Sequence, residues 1–477
     1  MCSLAPINDD VDGESGSYYL RHRAHMLRLG AYTLVIICYN SRMSKDMKKL
    51  STDAYKGVRD FFPSEMAVEK QIFDIWRKTV EMYGYEEYGA SVLEPAELYK
   101  AKSGDEIVNE QTYTFTDRGD REVTLRPEMT PSLARMVAAR KRELVFPLRW
   151  YSIPNLFRYE QPQRGRVREH WQLNVDIFGV ESIAAEIEVI NIAYDITRSF
   201  GLTDTDFEIR INNRKIMNYV TRDVFGLDEA AAQKISKLID KKDKVKPEWF
   251  EAAATDVLGD KTKQFLILLN SKNFEEFASS LPQTTEEHVG LKEIRECLAG
   301  LERLGITNAR FDQTLMRGFD YYTGIVFEVY DLNPLNRRSV FGGGRYDDLL
   351  SLFGNEKVPA FGFGAGDVVA RDLMETYNAI QKNSAPADVA LCVVGDQSTP
   401  YALEIAQSFR AKNIRVLVDV SNKKVGDQIK NADKRGVPRV ICIGDEEVKN
   451  GKLHMKILAT GEELSGSDEE LARTIRT

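Results

Sequence analysis

Cysteine is scarce. The chain has 477 residues and only five cysteines, Cys2, Cys38, Cys297, Cys392 and Cys442, all far apart. No CxxC pair and no Cys/His cluster occurs, which excludes a sequence-coded zinc site and argues for reduced thiols. Two glycine-dense stretches, "FGGGRYD" and "AFGFGAGD", also lack something. The first has no GK[ST] ending and the second fails GxGxxG spacing, so neither is a P-loop or a dinucleotide fingerprint. Their glycines are expected to serve tight turns and close backbone approach. No internal repeat, low-complexity tract or kinase signature is present. The apolar run at about 29–39 is too short for a membrane span, which needs roughly 20 residues. Net charge is −8, which disfavours nucleic acid only weakly, because one basic face suffices.

What is present is ordinary globular composition, 43% apolar and 29% charged, in a chain long enough for two to four domains. Residues 1–45 stand apart. "INDDVDGES" is acidic and loop-like, and the stretch after it is basic, then apolar, without an acid from Tyr18 to Arg42. It reads either as a targeting presequence or as an over-long start, with Met43 or Met47 the working initiator. A helix is expected from about Ser64, where Ile72, Ile75, Trp76, Val80 and Tyr83 recur at helical spacing. Residues 112–130 alternate as strands around "DRGD". "RWYSIPNLFRYE" and "EHWQLNVDIFG" read as two strands joined by "QPQRGRVR", with helices at about 183–200. The stretch 213–310 reads as a helical insertion. Strands resume at Ile325. "NSAPAD" reads as a linker, and beyond it a βαβαβ pattern implies a small parallel or mixed sheet with helices on its faces.

Polar residues gather on the strands. Arg158 and Glu160 share one face, since side chains alternate with period two. The loop adds Arg164, Arg166 and Arg168. On the returning strand His170, Gln172, Asn174 and Asp176 point one way, while Trp171, Leu173, Val175 and Ile177 point into a core. A solvated hairpin accounts for the alternation; a site for a polyanion and a small ligand accounts for the residue types as well. "TLRPEMT" puts Arg126, Glu128 and Thr130 at alternate positions, where a surface strand edge at Pro127 is the plainer reading. Just before Ile325, "LMRGFDYYTG" sets Arg317, Asp320, Tyr321 and Tyr322 at the mouth of a buried strand.

Together these segments resemble class II aminoacyl-tRNA synthetases, and within them the histidyl-tRNA synthetase family. "FRYE" is similar to the second class signature. "LMRGFDYYTGIVFE" and "GGGRYDDL" are similar to the two stretches peculiar to the histidine enzymes, and "TLRPEMT" to their amino-acid loop. "NKKVGDQIKNADKRGVPRVICIGDEEVKNG" is similar to their anticodon-binding domain. The resemblance runs from about residue 55 to the C-terminus. It implies an α+β fold: an antiparallel sheet flanked by helices (50–212 and 311–382), a helical insertion (213–310) and a C-terminal α/β anticodon-binding domain (387–477). It implies a cytoplasmic homodimer, with an organellar form conceivable through the extension. Its partners would be L-histidine, ATP carrying Mg2+ without a protein-only metal site, and tRNA(His). By the same resemblance Arg158 and Arg317 act on the α-phosphate. Glu128, Thr130 and Gln172 hold the substrate ammonium, Asp176 and Tyr322 bracket its imidazole, and Tyr321 lines the pocket. Glu160 meets adenine, His170 stacks on it, Arg166 and Arg168 grip the outer phosphates, and Gln163 meets the tRNA acceptor end.

Four positions depart from that pattern. Ser91 stands where the first signature has proline, His170 where a phenylalanine stacks, and Asp176 where a glutamate is usual. Val369 stands where the third signature has arginine, with Arg371 two residues on. Two rivals share the core: a histidine-binding regulatory subunit of ATP phosphoribosyltransferase, and the sensor region of a stress kinase. The C-terminal domain speaks against the first and the missing kinase signature against the second.

Overall fold

The structure is a computed structural model that describes residues 50–100, 111–163, 165–282, 286–316, 321–336, 338–354, 357–381 and 385–476. The extension 1–45, Arg164, Arg317 and Asp320 lie outside the described residues. Residues 1–56 and 57–477 form separate units, and the helices and strands of the described residues all belong to the second.

Helix α1 (Pro63–Glu81) opens with proline at its first position, where the missing N–H costs nothing. Glu65 accepts the N–H of Phe62 at 2.8 Å, satisfying an otherwise orphan donor. Its apolar stripe, Ile72, Trp76 and Val80, is wholly buried. Below it lies the main sheet. Its central strands are β5 (Leu148–Ser152), β7 (Glu169–Phe178), β12 (Ala360–Gly366), β11 (Ser339–Arg345), β10 (Ile325–Asp331) and β8 (Phe207–Asn213), in that spatial order. All five of these pairings are antiparallel. The edges differ from the all-antiparallel expectation. β1 (Glu86–Glu87) joins β5 in parallel, and β9 (Ala309–Phe311) joins β8 in parallel. Parallel neighbours need a long crossover. Between β8 and β9 that crossover is the helical stretch, including α4 (Glu229–Ile239), α5 (Pro247–Leu258), α6 (Thr262–Leu269), α7 (Phe274–Ser279) and α8 (Val289–Arg303). Its Ile235, Phe265 and Phe277 belong to the same buried cluster as Leu173, Val175 and Ile177 of β7, so these helices share the core of the sheet.

Helix α3 (Ala184–Ser199) packs beside α1 on that apolar face. The opposite face carries a smaller cluster built on Leu133 and Val137 of α2 (Thr130–Arg140), with Tyr321 and Tyr346. A short sheet of β2 (Leu93–Pro95), β4 (Glu122–Leu125) and β3 (Tyr113–Thr116) lies ahead of α2 in sequence. The turn between β3 and β4 is the "DRGD" stretch, with Asp117 accepting from Gly119 and Arg121.

The C-terminal region has its own sheet. β14 (Val416–Asp419), β13 (Val389–Val393) and β15 (Arg439–Ile443) are parallel, and β16 (Leu453–Ile457) and β17 (Glu463–Gly466) continue antiparallel. Helices α10 (Thr399–Ala411) and α12 (Asp468–Arg476) bury against one apolar cluster, α11 (Val425–Lys434) against another.

Candidate active site

β7 sets the site. Its odd residues Leu173, Val175 and Ile177 are sealed in the core, so its even residues are presented together on the other face. Gln172, Asn174 and Asp176 line one cavity of about 180 Å³; His170 and Gln172 line a second of about 350 Å³. Arg158 and Gln172 belong to the walls of both cavities.

Gly342, Gly362 and Gly364 line the first cavity and make its room. Across the sheet Asp176 pairs with Gly362, and Gly362 with Gly344; Asn174 pairs with Gly364, and Gly364 with Gly342. Opposed residues share a face, so these glycines form a bare floor beside the β7 side chains. A Cβ on Gly362 would collide with the Asp176 carboxylate, and one on Gly364 with the Gln172 amide. Gly343 faces the other way, where a Cβ would strike the carbonyl of Gly362. The glycine-dense stretches are therefore strands. Close backbone approach holds for them; tight turns do not, because the glycines sit in ladder register.

Polar groups close the cavity. Tyr321 donates to Glu128 at 3.1 Å, and both are buried. Thr130 begins α2, after the strand has ended at Leu125. Arg126 is buried and donates to the carbonyls of Ala90, at 2.7 Å, and Asn155, at 3.0 Å. This stretch is thus a buried loop clasped by Arg126, and the surface-edge reading fails. Tyr322 lines the cavity beside Tyr321, their rings edge to face at 5.2 Å. Asp176 is wholly enclosed, and burial pushes its carboxyl up to about 7 despite a hydrogen bond donated by Tyr346. The sequence reading assigned no role to Tyr346. The signal was there: after Gly342 and Gly344 it is the next even position, hence the same face.

The second cavity is the more open and more cationic. Arg158 lies just past β6 (Asn155–Phe157), and its Nε donates to the carbonyl of Pro127 at 2.8 Å, which aims the guanidinium. Glu160 and Arg166 line the cavity and pair at 3.5 Å. His170 lies in its wall with its ring held neutral: burial, then the Arg158 and Arg59 charges, push it down to about 3. Arg168 is placed elsewhere. It is buried, its Nε donates to the Glu160 carbonyl at 3.1 Å, and its guanidinium lies 4.0 Å over the Tyr159 ring. The segment at Gly57 packs against its alkyl stem, which turns Arg168 into a strut behind the loop. Gln163 is exposed and bridges to Arg166 at the loop tip.

The far wall is the start of α9 (Asp367–Thr376), where Asp367, Val368 and Val369 line the cavity. Asp367 is fully buried, accepts the N–H of Trp171 at 3.1 Å and pairs with Arg59 at 2.6 Å. Arg59 and Asp367 carried no signal in the sequence, since the pair joins positions 308 residues apart. Arg371 points away from the cavity, donating to Glu375 at 2.9 Å and lying 3.9 Å from Glu69. Burial, with Asp367 adding to it, pushes Glu69 up to about 7.

The arrangement can seat a small zwitterion with a ring beside a larger polyanion, with Arg158 between them. A family model described as histidyl-tRNA synthetase matches residues 57–366, and one described as anticodon binding domain matches residues 388–477. The curated histidine--tRNA ligase of Leptospira biflexa serovar Patoc is 37% identical over 435 residues, covering 90% of this chain and 98% of that protein. That of Halobacterium salinarum is 36% identical over 416 residues, covering 86% and 95%. The crystal structure of histidyl-tRNA synthetase from Nostoc sp. PCC 7120 shares the fold, with a TM-score of 0.76 at 23% identity over 90% of this chain and 99% of that one.

Proposed function

This chain belongs to the histidyl-tRNA synthetase family, and from that premise we propose that it is a histidine–tRNA ligase. The observation that carries the reading is the pair of cavities that meet at Arg158 and Gln172. Histidine occupies the smaller and ATP the larger, so that the substrate carboxylate and the α-phosphate come together at one guanidinium. A bidentate cation suits both groups.

The reaction has two steps. A carboxylate oxygen of histidine attacks the α-phosphorus, and pyrophosphate leaves. A hydroxyl of the terminal tRNA ribose then attacks the carbonyl of the adenylate, and AMP leaves. In the first step the protein positions the groups and stabilises developing charge. Glu128 and Gln172, with Thr130 beside them, hold the ammonium. Asp176 accepts from one imidazole nitrogen and Tyr322 donates to the other, as a neutral ring requires. Tyr346 holds Asp176 in place. Glu160 meets the adenine amino group, and the His170 ring stacks on the base. Arg166, rather than Arg168, meets the outer phosphates. Arg317 completes the α-phosphate contacts.

Among the described residues no cluster of three metal-ligating side chains occurs. Of the carboxylates on the nucleotide cavity, Asp367 is paired with Arg59 and Glu160 with Arg166. A magnesium ion would therefore be carried by the phosphates of ATP, and Glu160 stays with the adenine amino group. The ion would supply neutralisation of phosphate charge.

The active form is a homodimer. Its support on this chain is an apolar face on the short sheet, where Leu93 and Phe115 are 41% and 48% exposed. Sedimentation of the full chain gives the mass that checks it. The C-terminal domain meets the anticodon loop through α11 and its flanks, "NKKVGDQIKNADKRGVPR", with six basic residues against two acids. RNA loops are read by splayed bases and backbone charge, so the overall negative charge is no obstacle.

Histidine-dependent ATP–pyrophosphate exchange, followed by charging of a tRNA(His) transcript, tests the whole reading. A protein that binds histidine and does neither is a regulatory homologue. Exchange without charging would refute the second step alone.

A further inference from the structure

Two cysteines stand side by side in the C-terminal sheet. β13 and β15 are parallel neighbours, and their register sets Cys392 beside Cys442. Such residues point to the same face with strands about 4.8 Å apart, within the Cα separation of about 4.4–6.8 Å that a disulfide spans. Each thiol perturbs the titration of the other. They lie under α11, in an apolar cluster with Ala390, Ala432 and Val440. Gln428 of that helix accepts from the Val393 N–H and donates to the Val393 carbonyl, both at 2.8 Å. Helix and strand are thus bolted together one residue from Cys392. Cys392 is fully buried, whereas Cys442 is partly exposed.

We propose that Cys392 and Cys442 form an oxidisable dithiol, which a hydroperoxide converts into a disulfide joining β13 to β15. Cys442 is the attacking sulfur, because it is the one that solvent reaches. The neighbouring Cys392 thiol holds it below the ordinary value, with help from Lys456; burial, Glu447 and Glu463 act the other way. Cys392 is pushed up by the neighbouring Cys442, by burial and by Asp419, which keeps it a protonated thiol. The Cys442 thiolate attacks a peroxide oxygen: the S–O bond forms, the O–O bond breaks, and hydroxide or an alkoxide leaves. The Cys392 sulfur then attacks the sulfenic sulfur: the S–S bond forms and the S–O bond breaks. The departing hydroxide takes the Cys392 proton and leaves as water. The sulfur pair loses two electrons and the peroxide gains them. Cys297 is the internal control. It is buried, and burial pushes its thiol far up.

The test uses the full chain, reduced, freed of reductant and treated with hydrogen peroxide, then cut with trypsin without reductant. The expected product joins the peptides 383–410 and 440–449, is cleaved by dithiothreitol, and leaves Cys297 unmodified. Cys392→Ser should accumulate a dimedone-trappable sulfenic acid at Cys442, and Cys442→Ser should leave Cys392 as a thiol. Free thiols at both positions of the parent protein, a sulfinic acid at Cys442 without a cross-link, or a link only between copies would each overturn the proposal. The parent map stands whether or not either variant folds.

Discussion

At the scale of single residues, the proposed histidine contact requires Asp176 to be ionised. Burial holds its carboxyl at about 7, and Tyr346 is the donor that opposes burial. Only the charged form is a pure acceptor for an imidazole N–H. As pH falls below about 7, kcat/KM for histidine should therefore fall, beyond what titration of free histidine explains. Tyr346→Phe removes a hydrogen bond to a charged group, worth about 1.5–3 kcal/mol. It should move that limb to higher pH by about 1 unit or more, with the KM for ATP little changed. Superimposable pH profiles would refute the pairing. Arg317 is the other residue to test. If it stabilises charge on the α-phosphate, Arg317→Ala should cut kcat for adenylation by about 10²–10³; unaltered pyrophosphate exchange would end that assignment. Asp176 was legible because strand alternation fixes which residues share a face, whereas Tyr322 entered only through the resemblance of the stretch before Ile325. Tyr346 was passed over as part of a glycine motif. Arg59 could not be found, since nothing local marks it as the partner of Asp367.

At the scale of elements, the glycines of β11 and β12 separate packing from substrate room. Gly364→Ala aims a methyl at Gln172, and Gly343→Ala aims one at the backbone of the neighbouring strand. A flexible side chain can give way where backbone cannot. Gly364→Ala should raise the KM for histidine by about tenfold or more with little loss of stability. Gly343→Ala should instead destabilise the protein by about 1–3 kcal/mol, the usual cost of overpacking. Thermal melts beside histidine kinetics check the split, and the reverse pattern would place the floor elsewhere. Helix α9 makes the companion case. Arg371 follows Val369 by two residues, about 200° around a helix, and faces Glu69 and Glu375. Arg371→Ala should shift the KM for ATP by less than about tenfold, since a lost charged contact would cost at least about 1.5 kcal/mol. A larger rise would mean that the third signature has slid along the helix.

At the scale of the molecule, the unit 57–477 holds both the main sheet and the C-terminal domain, and residues 1–56 fall outside it. A chain begun at Met43 should charge tRNA as well as the full chain does. A large loss in steady-state charging would show that the extension packs on the enzyme. Comparing where the two forms go in cells decides organellar import separately. Among the described residues no helix is long and apolar enough to cross a membrane.

The sequence by itself determined the order of parts: the helix at Pro63, the β7 alternation, the βαβ pattern near the C-terminus, and motifs similar to one family. These are local signals, carried by spacing along one strand or helix. Only the tertiary structure decided the rest. It made two separate glycine runs into one floor, because their register is set across strands. It turned the "TLRPEMT" stretch inward, because Arg126 finds its carbonyl partners 29 and 36 residues away. It withdrew Arg168 behind the loop and turned Arg371 toward Glu69. Which face a side chain shows follows from its own neighbours in sequence; what it meets there depends on distant chain brought alongside by the buried core, and no local pattern encodes that.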